Sequence, residues 1–167
     1  MEAMGQKKTI NSISKLFAGL HLLGIDPAME TFAERKKVQK LVYLLDKVFG
    51  MNFKFPYSWY LHSPYSPMVT KIVFDVIEGR QIVDPDLEVL SDKDLGRIDQ
   101  LKSFLGNDID SNDRLELLVS LHFLLQHAKK EGFTQEDIIA FLKSKKPYFT
   151  DKEISDAIDQ LRTLEYR

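Results

Sequence analysis

Residues 31–50 read TFAERKKVQKLVYLLDKVFG, and this stretch decides the fold class. Thr31 and Glu34 stand three residues apart in the order of a capping box, in which each side chain satisfies a backbone amide at the start of a helix. Apolar residues then recur at spacings of three and four, which is the period of one helix face. They are Val38, Leu41, Val42, Leu45, Val48 and Phe49. Gly50 ends the pattern, so we predict an amphipathic helix.

Similar signals on both sides of this helix predict six more. In each, apolar residues at helical spacing follow a capping residue or end at a glycine or proline. The six runs lie between Ile10 and Gly24, Ser66 and Gly79, Ser91 and Gly106, Asn112 and Gly132, Thr134 and Pro147, and Thr150 and Leu164. We expect the Ser66 hydroxyl to cap a helix that starts with Pro67. The prediction is a mostly α, seven-helix single domain over residues 1–167, with a C-terminal helical subdomain over residues 107–167 as an alternative.

Two stretches between the helices do not follow the helical period. Residues 51–62 are rich in aromatics, contain Pro56 and alternate in places, so we predict a short extended or hairpin-like segment. Residues 81–90 are acidic and partly β-branched, and Asp-Pro-Asp at residues 84–86 interrupts them. A small β-ribbon or a loop fits that pattern. The fold therefore includes a minor extended element.

Composition excludes several classes of protein. The chain has 167 residues, 23 Lys and Arg against 25 Asp and Glu, and no cysteine. Without cysteine there are no disulfides, iron–sulfur clusters, thiolate zinc sites or cysteine nucleophiles. No apolar run approaches the roughly 18 residues that a membrane-spanning helix needs. We therefore expect a soluble cytoplasmic protein that does not bind a membrane.

No catalytic or metal-binding motif is found in the sequence. It has no glycine-rich phosphate loop, no nucleophile elbow and no kinase-type catalytic loop. His122 and His127 are five residues apart, whereas a helical zinc site needs a spacing of four. The acidic run at residues 108–113 lacks the central glycine and the final glutamate of a calcium loop. We expect no cofactor, no metal and no enzymatic activity.

Two surface features are candidates for binding another protein. Lys36, Lys40, Tyr43 and Lys47 follow one another at spacings of four, three and four, opposite the apolar stripe of their helix. Residues 59–67 (WYLHSPYSP) combine aromatics and prolines, which are costly to expose unless something packs on them. The predicted partner-binding residues are Lys36, Lys40, Tyr43, Lys47, His62 and Tyr65. Two alternatives stay open: the lysines form an ordinary solvated face, and Trp59, Leu61 and Tyr65 fill the core between the second and third helices.

The same segments carry a family resemblance. Residues 37–45 (KVQKLVYLL), followed by residues 62–67 (HSPYSP), resemble the YwgA-like family of prokaryotic proteins and the related SocA-like, or Panacea, antitoxin domains. Residues 146–149 (KPYF) are similar to a YwgA-like ending, and Ser63 stands where the family pattern has glycine. The resemblance implies a mostly helical domain with a small β-element. Panacea-type domains act as antitoxins through protein–protein contact, so it also implies a protein partner, with a toxin as the candidate.

A nucleic-acid-binding transcriptional regulator is the alternative. The last three helices could form a helix-turn-helix, with residues 81–90 as a wing. Residues 134–167 hold six basic and seven acidic side chains, however, so the DNA-contacting part of such a helix-turn-helix would be close to neutral. A hydrolase is the third functional hypothesis, after the interaction module and the regulator. The leading interpretation is a non-enzymatic protein-interaction module of an antitoxin-like kind.

Overall fold

The computed structural model describes residues 2–25, 31–61, 63–81, 83 and 89–166, with side chains from residue 12 to residue 165. Seven α-helices and one two-stranded antiparallel sheet lie in these residues, which confirms the mostly α fold class. The elements are α1 (Glu2–Leu22), α2 (Phe32–Tyr43), β1 (Ser58–Tyr60), β2 (Ser63–Tyr65), α3 (Pro67–Ile77), α4 (Asp92–Leu105), α5 (Asn112–Glu131), α6 (Gln135–Lys145) and α7 (Asp151–Arg162).

The chain forms two compact units. The first comprises Met1–Pro56 and Ser66–Asn112, and the second comprises Tyr57–Tyr65 and Asp113–Arg167. Helices α1 to α4 therefore belong to the first unit. The β1–β2 hairpin belongs with α5, α6 and α7 in the second, although it lies far from them in sequence. The C-terminal subdomain predicted for residues 107–167 did not include this hairpin.

Local capping fixes where the helices begin. Four capping boxes are present: Thr31 with Glu34, Ser91 with Asp94, Thr134 with Asp137, and Thr150 with Glu153. In the first, the Glu34 amide donates to Thr31 Oγ1 at 3.1 Å and the Thr31 amide donates to Glu34 Oε2 at 3.3 Å. Each box satisfies two amides that the helix leaves without intrahelical partners, so these starts are encoded within four residues.

The predicted second helix changes geometry before it ends. Regular α-helix stops at Tyr43, and a π-helical segment, Leu44–Val48, continues it. Here the hydrogen bonds span five residues, so the Phe49 amide donates to the Leu44 carbonyl at 2.9 Å. In the first unit α2 packs against α1 and α3, and the π segment packs against α4. With neighbours on several sides, residues 40–46 are all buried, so the expected solvent face is interrupted between the exposed Lys36 and Lys47.

The buried carboxylate of Asp46 organises the chain that follows the π segment. Its Oδ1 accepts the amide of Lys54 at 3.1 Å, and its Oδ2 accepts the amide of Phe55 at 3.0 Å. Asn52 and Lys54 both adopt φ of 61°, a left-handed conformation that costs free energy in residues other than glycine. Two successive amides that converge on one carboxylate form an anion-binding nest, and here the anion comes from the chain itself.

A side-chain amide joins α2 to the start of α3. Gln39 Oε1 accepts the Ser66 amide at 3.2 Å, while Gln39 Nε2 donates to the Ser66 carbonyl at 2.9 Å and to Thr70 Oγ1 at 2.8 Å. The predicted hydroxyl cap at Ser66 is wrong, because its Oγ is buried with no hydrogen-bond partner in the described part of the chain. Gln39, on another helix, accepts the backbone amide of Ser66 itself, which is a different amide from the ones in the first turn that a serine hydroxyl would cap.

The predicted extended segment, residues 51–62, contains strand β1, and the hairpin is completed by β2 just beyond that segment. Strands β1 and β2 pair antiparallel, with Trp59 opposite Pro64 and Tyr60 opposite Ser63. Since side chains alternate across a strand, Trp59 lies on one face and contacts the rings of Phe123 in α5 and Phe141 in α6, with centroids 6.0 and 5.8 Å away. Trp59 thus packs on helices of the second unit.

The other predicted core residues of this segment behave differently. Leu61, at the hairpin tip, is 73% exposed and adopts φ of 55°, so the prediction that it fills the core is wrong. Tyr65 is half-buried, and its ring lies 5.5 Å from that of Tyr60 on the hairpin face opposite Trp59. Only two residues separate the strands, and a hairpin turn of that length needs the left-handed backbone seen at Leu61.

A buried lysine holds the second unit together. The Lys146 side chain is fully buried, and its Nζ lies 2.8 Å from Glu116 Oε1 in α5. The Tyr148 hydroxyl donates to Glu116 Oε2 at 3.0 Å, so both carboxylate oxygens are engaged. Arg114 in α5 also donates to Gln160 Oε1 in α7. These bonds tie α5 to the α6–α7 connection and to α7.

Two further predictions need adjustment. The stretch expected to be a polar loop, residues 107–112, is mainly a 3₁₀ turn, Gly106–Asp110. Leu95, predicted on the apolar stripe of α4, is exposed, whereas Ile98, Leu101 and Leu105 are buried as expected. Of the β-ribbon or loop predicted at residues 81–90, residues 82 and 84–88 lie outside the described residues.

The Gln39 bridge predicts a stability effect that the sequence does not suggest. Gln39→Ala leaves the Ser66 amide without its acceptor and removes one of two donors to the Ser66 carbonyl, which keeps the Thr70 amide at 3.4 Å, so we expect the free energy of unfolding to fall by about 1–3 kcal/mol. Ser66→Ala removes only a hydroxyl without a partner and should change that free energy by less than about 0.5 kcal/mol. Urea unfolding of both variants measures the difference. An equal loss in Ser66→Ala would restore the hydroxyl as the cap.

The Lys146–Glu116 pair predicts non-additive mutations. Glu116→Leu leaves a buried ammonium without its carboxylate, so we expect a loss of about 3–5 kcal/mol in the free energy of unfolding. Adding Lys146→Met should recover part of that loss, because no charge is then left buried. Lys143→Met, which removes an exposed lysine paired with Asp151, is the control and should cost less than about 1 kcal/mol. A double variant less stable than Glu116→Leu would contradict this account.

Candidate protein-binding surface

Of the predicted binding residues on the second helix, two are enclosed. Lys36 is exposed, but Lys40 and Tyr43 are buried. Burial raises the pKa of the Tyr43 hydroxyl, because a phenolate would lose its hydration. The prediction that Lys40 and Tyr43 point to solvent is wrong, because the second half of α2 and its π extension are covered around most of their circumference.

Lys47, His62 and Tyr65 do not complete the predicted patch either. Lys47 is exposed, with its Nζ 3.8 Å from Asp46 Oδ2, so its charge lies beside the carboxylate that organises the following loop. Tyr65 belongs to the hairpin of the second unit, where its ring contacts Tyr60. His62 lies outside the described residues. Of the predicted binding residues within α2, Lys36 is therefore the one that is exposed to a partner.

Lys36 belongs to a surface on which α2 and α3 meet. The Gln39–Thr70 hydrogen bond is one contact between the helices, and the Arg35 guanidinium, four residues before Gln39, lies 6.0 Å from the centroid of Phe74, four residues after Thr70. The helices therefore run antiparallel. The Lys36 ammonium lies 4.7 Å from the ring centroid of Phe32 at the start of α2. We call Phe32, Arg35, Lys36, Phe74 and Ile77 the α2–α3 patch.

The apolar members of the α2–α3 patch are accessible. Phe32 is 65% exposed, Phe74 is 37% exposed and Ile77 is 40% exposed. Cations above aromatic rings are stabilised by about 0.5–1 kcal/mol at such exposed sites, so Arg35 and Lys36 help to fix the rings. Aromatic area beside arginine is the composition typical of residues that dominate protein interfaces.

Sequence reasoning missed the two aromatics of this surface. Phe32 precedes the apolar stripe of its helix, and Phe74 lies off the stripe formed by Val69 and Val73. A large aromatic on the polar side of an amphipathic helix was the available signal.

Two of the ionisable groups with shifted pKa values, His122 and Tyr148, lie in the second unit. Burial, and to a lesser extent the charge of Lys129, lower the pKa of His122 in α5 to about 4, so this imidazole is neutral at physiological pH. Burial and the hydrogen bond to Glu116 raise the pKa of Tyr148 to about 12. In the structure His122 is largely buried in α5, and the Tyr148 hydroxyl donates a hydrogen bond to Glu116.

The described residues contain neither a group of side chains suited to a metal ion nor a helix suited to span a membrane. Within residues 2–25, 31–61, 63–81, 83 and 89–166, no three His, Cys, Asp or Glu side chains are grouped closely enough to hold a metal ion. None of the helices in those ranges combines the length and the apolar character needed to span a bilayer.

Comparisons with known proteins add no relative. No protein-family model, no curated protein and no solved structure matches the chain. The resemblance to YwgA-like and Panacea domains therefore rests on the quoted segments alone and stays a prediction. The structure gives those segments physical roles: residues 37–45 contain Gln39, which holds Ser66 in the second segment.

Proposed function

We propose that this protein is a non-enzymatic protein-interaction module that binds its partner through the α2–α3 patch. One observation carries the proposal: Phe32, Phe74 and Ile77 are exposed on two antiparallel helices that pack together, with Arg35 against Phe74 and Lys36 against Phe32. Exposing such side chains in a cluster is unfavourable in water, and a partner that covers them recovers the free energy of apolar burial.

The rigidity of the helix pair supports the same proposal. Gln39 makes three hydrogen bonds to Ser66 and Thr70 at the start of α3, so α2 and α3 are fixed relative to one another before any partner arrives. A surface that is ordered in advance loses less conformational entropy on binding, which leaves more of the contact free energy for affinity. The patch therefore has both the composition and the order that an interface needs.

The finer part of the proposal is that the partner is a toxin. It is supported by the resemblance of residues 37–45 and 62–67 to antitoxin domains that act by protein–protein contact. A toxin encoded by a neighbouring gene is the first candidate. Co-expression with that neighbour in its native host provides the test: growth should be restored by the wild-type chain and not by the patch variants described next.

Removing the exposed rings should weaken binding without unfolding the protein. We expect Phe32→Ala and Phe74→Ala each to weaken partner binding by more than about 1 kcal/mol, a loss that fewer than a third of interface residues reach. The partner is first captured from lysate of the native host, then purified, and its affinity is measured by calorimetry. Lys36→Glu should reduce the affinity as well, because it reverses a charge within the patch.

Phe133→Ala is the matched control, since Phe133 is 58% exposed but lies between α5 and α6 in the second unit. Its affinity for the partner should equal that of the wild type. Thermal unfolding of every variant separates a lost contact from a lost fold. If the Phe32→Ala, Phe74→Ala double variant is folded and binds the partner as tightly as the wild type, the proposal is wrong.

The alternative, a nucleic-acid-binding regulator, places α7 as the recognition helix of a helix-turn-helix. Its exposed side chains are mainly acidic: Asp151, Glu153, Asp156 and Asp159, against Lys152 and Arg162. The residues at the start of a recognition helix approach the bases, and carboxylates there repel the phosphates. We therefore rank this alternative second.

Duplex binding should accordingly be weak. We expect a Kd no tighter than about 10⁻⁵ M for random duplex DNA at physiological salt, because few lysines are aligned to release counterions. Fluorescence anisotropy with a labelled duplex at two salt concentrations measures it. Sub-micromolar binding with a steep salt dependence would place the regulator first.

A further inference from the structure

Two contacts between α2 and α3 fix which residues of the helices lie side by side. Gln39 Nε2 donates to Thr70 Oγ1 at 2.8 Å, and the Arg35 guanidinium lies 6.0 Å from the centroid of the Phe74 ring. From the first contact to the second, α2 steps back by four residues and α3 advances by four. The two helices therefore keep the same antiparallel offset over a full turn.

The same offset arranges the apolar side chains of the α2–α3 patch in a row. Three residues beyond the second contact, close to one more turn, Phe32 lies beside Ile77. Phe74 follows in the direction of Gln39, whose hydrogen bonds close the row at its polar end. The seven residues from Phe32 to Gln39 rise about 10 Å, which is the length of two helical turns.

The first two turns of α2 are positively charged. Arg35, Lys36 and Lys37 stand there against Glu34. The Lys37 ammonium is paired with Asp110 at 2.9 Å. Lys36 is exposed, and in the part of the chain that the structure describes no carboxylate pairs with its ammonium. The α2 side of the row therefore presents a cation to any partner that lies on it.

On α3, by contrast, the charges neutralise one another. Lys71 Nζ lies 2.9 Å from Asp75 Oδ2, and Arg80 Nε lies 3.0 Å from Asp75 Oδ1. Arg80 also pairs with Glu78. The α3 side therefore adds no net charge, and the positive charge of α2 determines the electrostatic character of the patch.

We propose that the part of the partner that lies on the α2–α3 patch is an amphipathic α-helix with acidic side chains beside its apolar stripe. This inference rests on the proposed function and adds the chemistry of the partner. Since the backbone groups within an α-helix bond to one another, the patch offers side chains and no strand edge, and a third helix packs against it. Apolar side chains at spacings of three and four cover Phe32, Phe74 and Ile77, and an Asp or Glu on the flank reaches Lys36.

The contact with an isolated helix is small, and this sets its strength. Two turns over three apolar side chains bury less than the roughly 1,200 Å² of a stable interface between folded proteins, so we expect a Kd of about 1–100 µM. The ion pair at the exposed Lys36 is screened by salt. The affinity should therefore fall several-fold between about 50 mM and 500 mM NaCl.

The experiment presents the full chain to random peptides of about 16 residues displayed on phage, which are long enough for four helical turns. Clones that bind the wild type but not the Phe32→Ala, Phe74→Ala variant are kept, because these contact the patch. We expect them to carry apolar residues at spacings of three and four, and more Asp and Glu than Lys and Arg. The strongest clone, made as a synthetic peptide, should gain helical circular dichroism when it binds.

Reversing one charge separates an ion pair from a structural effect. Lys36→Glu should weaken the binding of the acidic peptide about tenfold. A peptide in which Lys replaces Asp and Glu should bind Lys36→Glu more tightly than it binds the wild type, which a purely structural role of Lys36 would not produce. Lys152→Glu is the matched control: it makes the same change on an exposed lysine of α7 in the second unit and should bind the acidic peptide like the wild type.

Three results would overturn the proposal. Clones without an excess of Asp and Glu, or an affinity that salt does not change, would show that the bound segment is not acidic. A peptide that binds without becoming helical would contradict the helix, and a selection in which no clone depends on Phe32 and Phe74 would show that the patch takes up no such segment. The proposed function is judged separately, by the affinity of the purified partner for the Phe32→Ala, Phe74→Ala variant, so the two failures are distinguishable.

Discussion

The carboxamide of Gln39 is the contact on which the geometry of α2 and α3 depends. Helix α3 begins with a proline after a buried serine, and the serine amide needs an acceptor. Gln39 supplies that acceptor and also donates to the carbonyl of the same residue and to Thr70. This one side chain thus ties the first turn of α3 to α2 and fixes the distance between the two helices. It also fixes how far one helix is shifted along the other, which places the Arg35 guanidinium over the Phe74 ring. The proposed binding surface follows from that register.

Both units use a buried charge to hold irregular backbone. In the first, Asp46 binds two amides of a loop that contains left-handed residues; in the second, Lys146 follows the end of α6 and is neutralised by Glu116. A buried charge with its partner missing is strongly destabilising. Asp46 and Lys146 therefore favour the one backbone arrangement in which each has its partners. In the sequence these residues resemble ordinary surface charges. Only their surroundings show that they are structural.

The α2–α3 patch presents side chains on two packed helices, so it recognises shape, apolar area and charge.

The sequence by itself determined the helices, because their signals are local. Capping boxes such as Thr31–Glu34 and glycines such as Gly24 and Gly132 act within one turn, and helices α2 to α7 begin close to their predicted starts. Helix α1, predicted from Ile10 onward, instead begins at Glu2. What only the tertiary structure decided is which polar residues are enclosed. Tyr43 is buried because other helices cover α2, and Ser66 is bonded by a glutamine 27 residues away. Burial and long-range hydrogen bonds depend on neighbours that are distant in sequence, and helical periodicity carries no information about them.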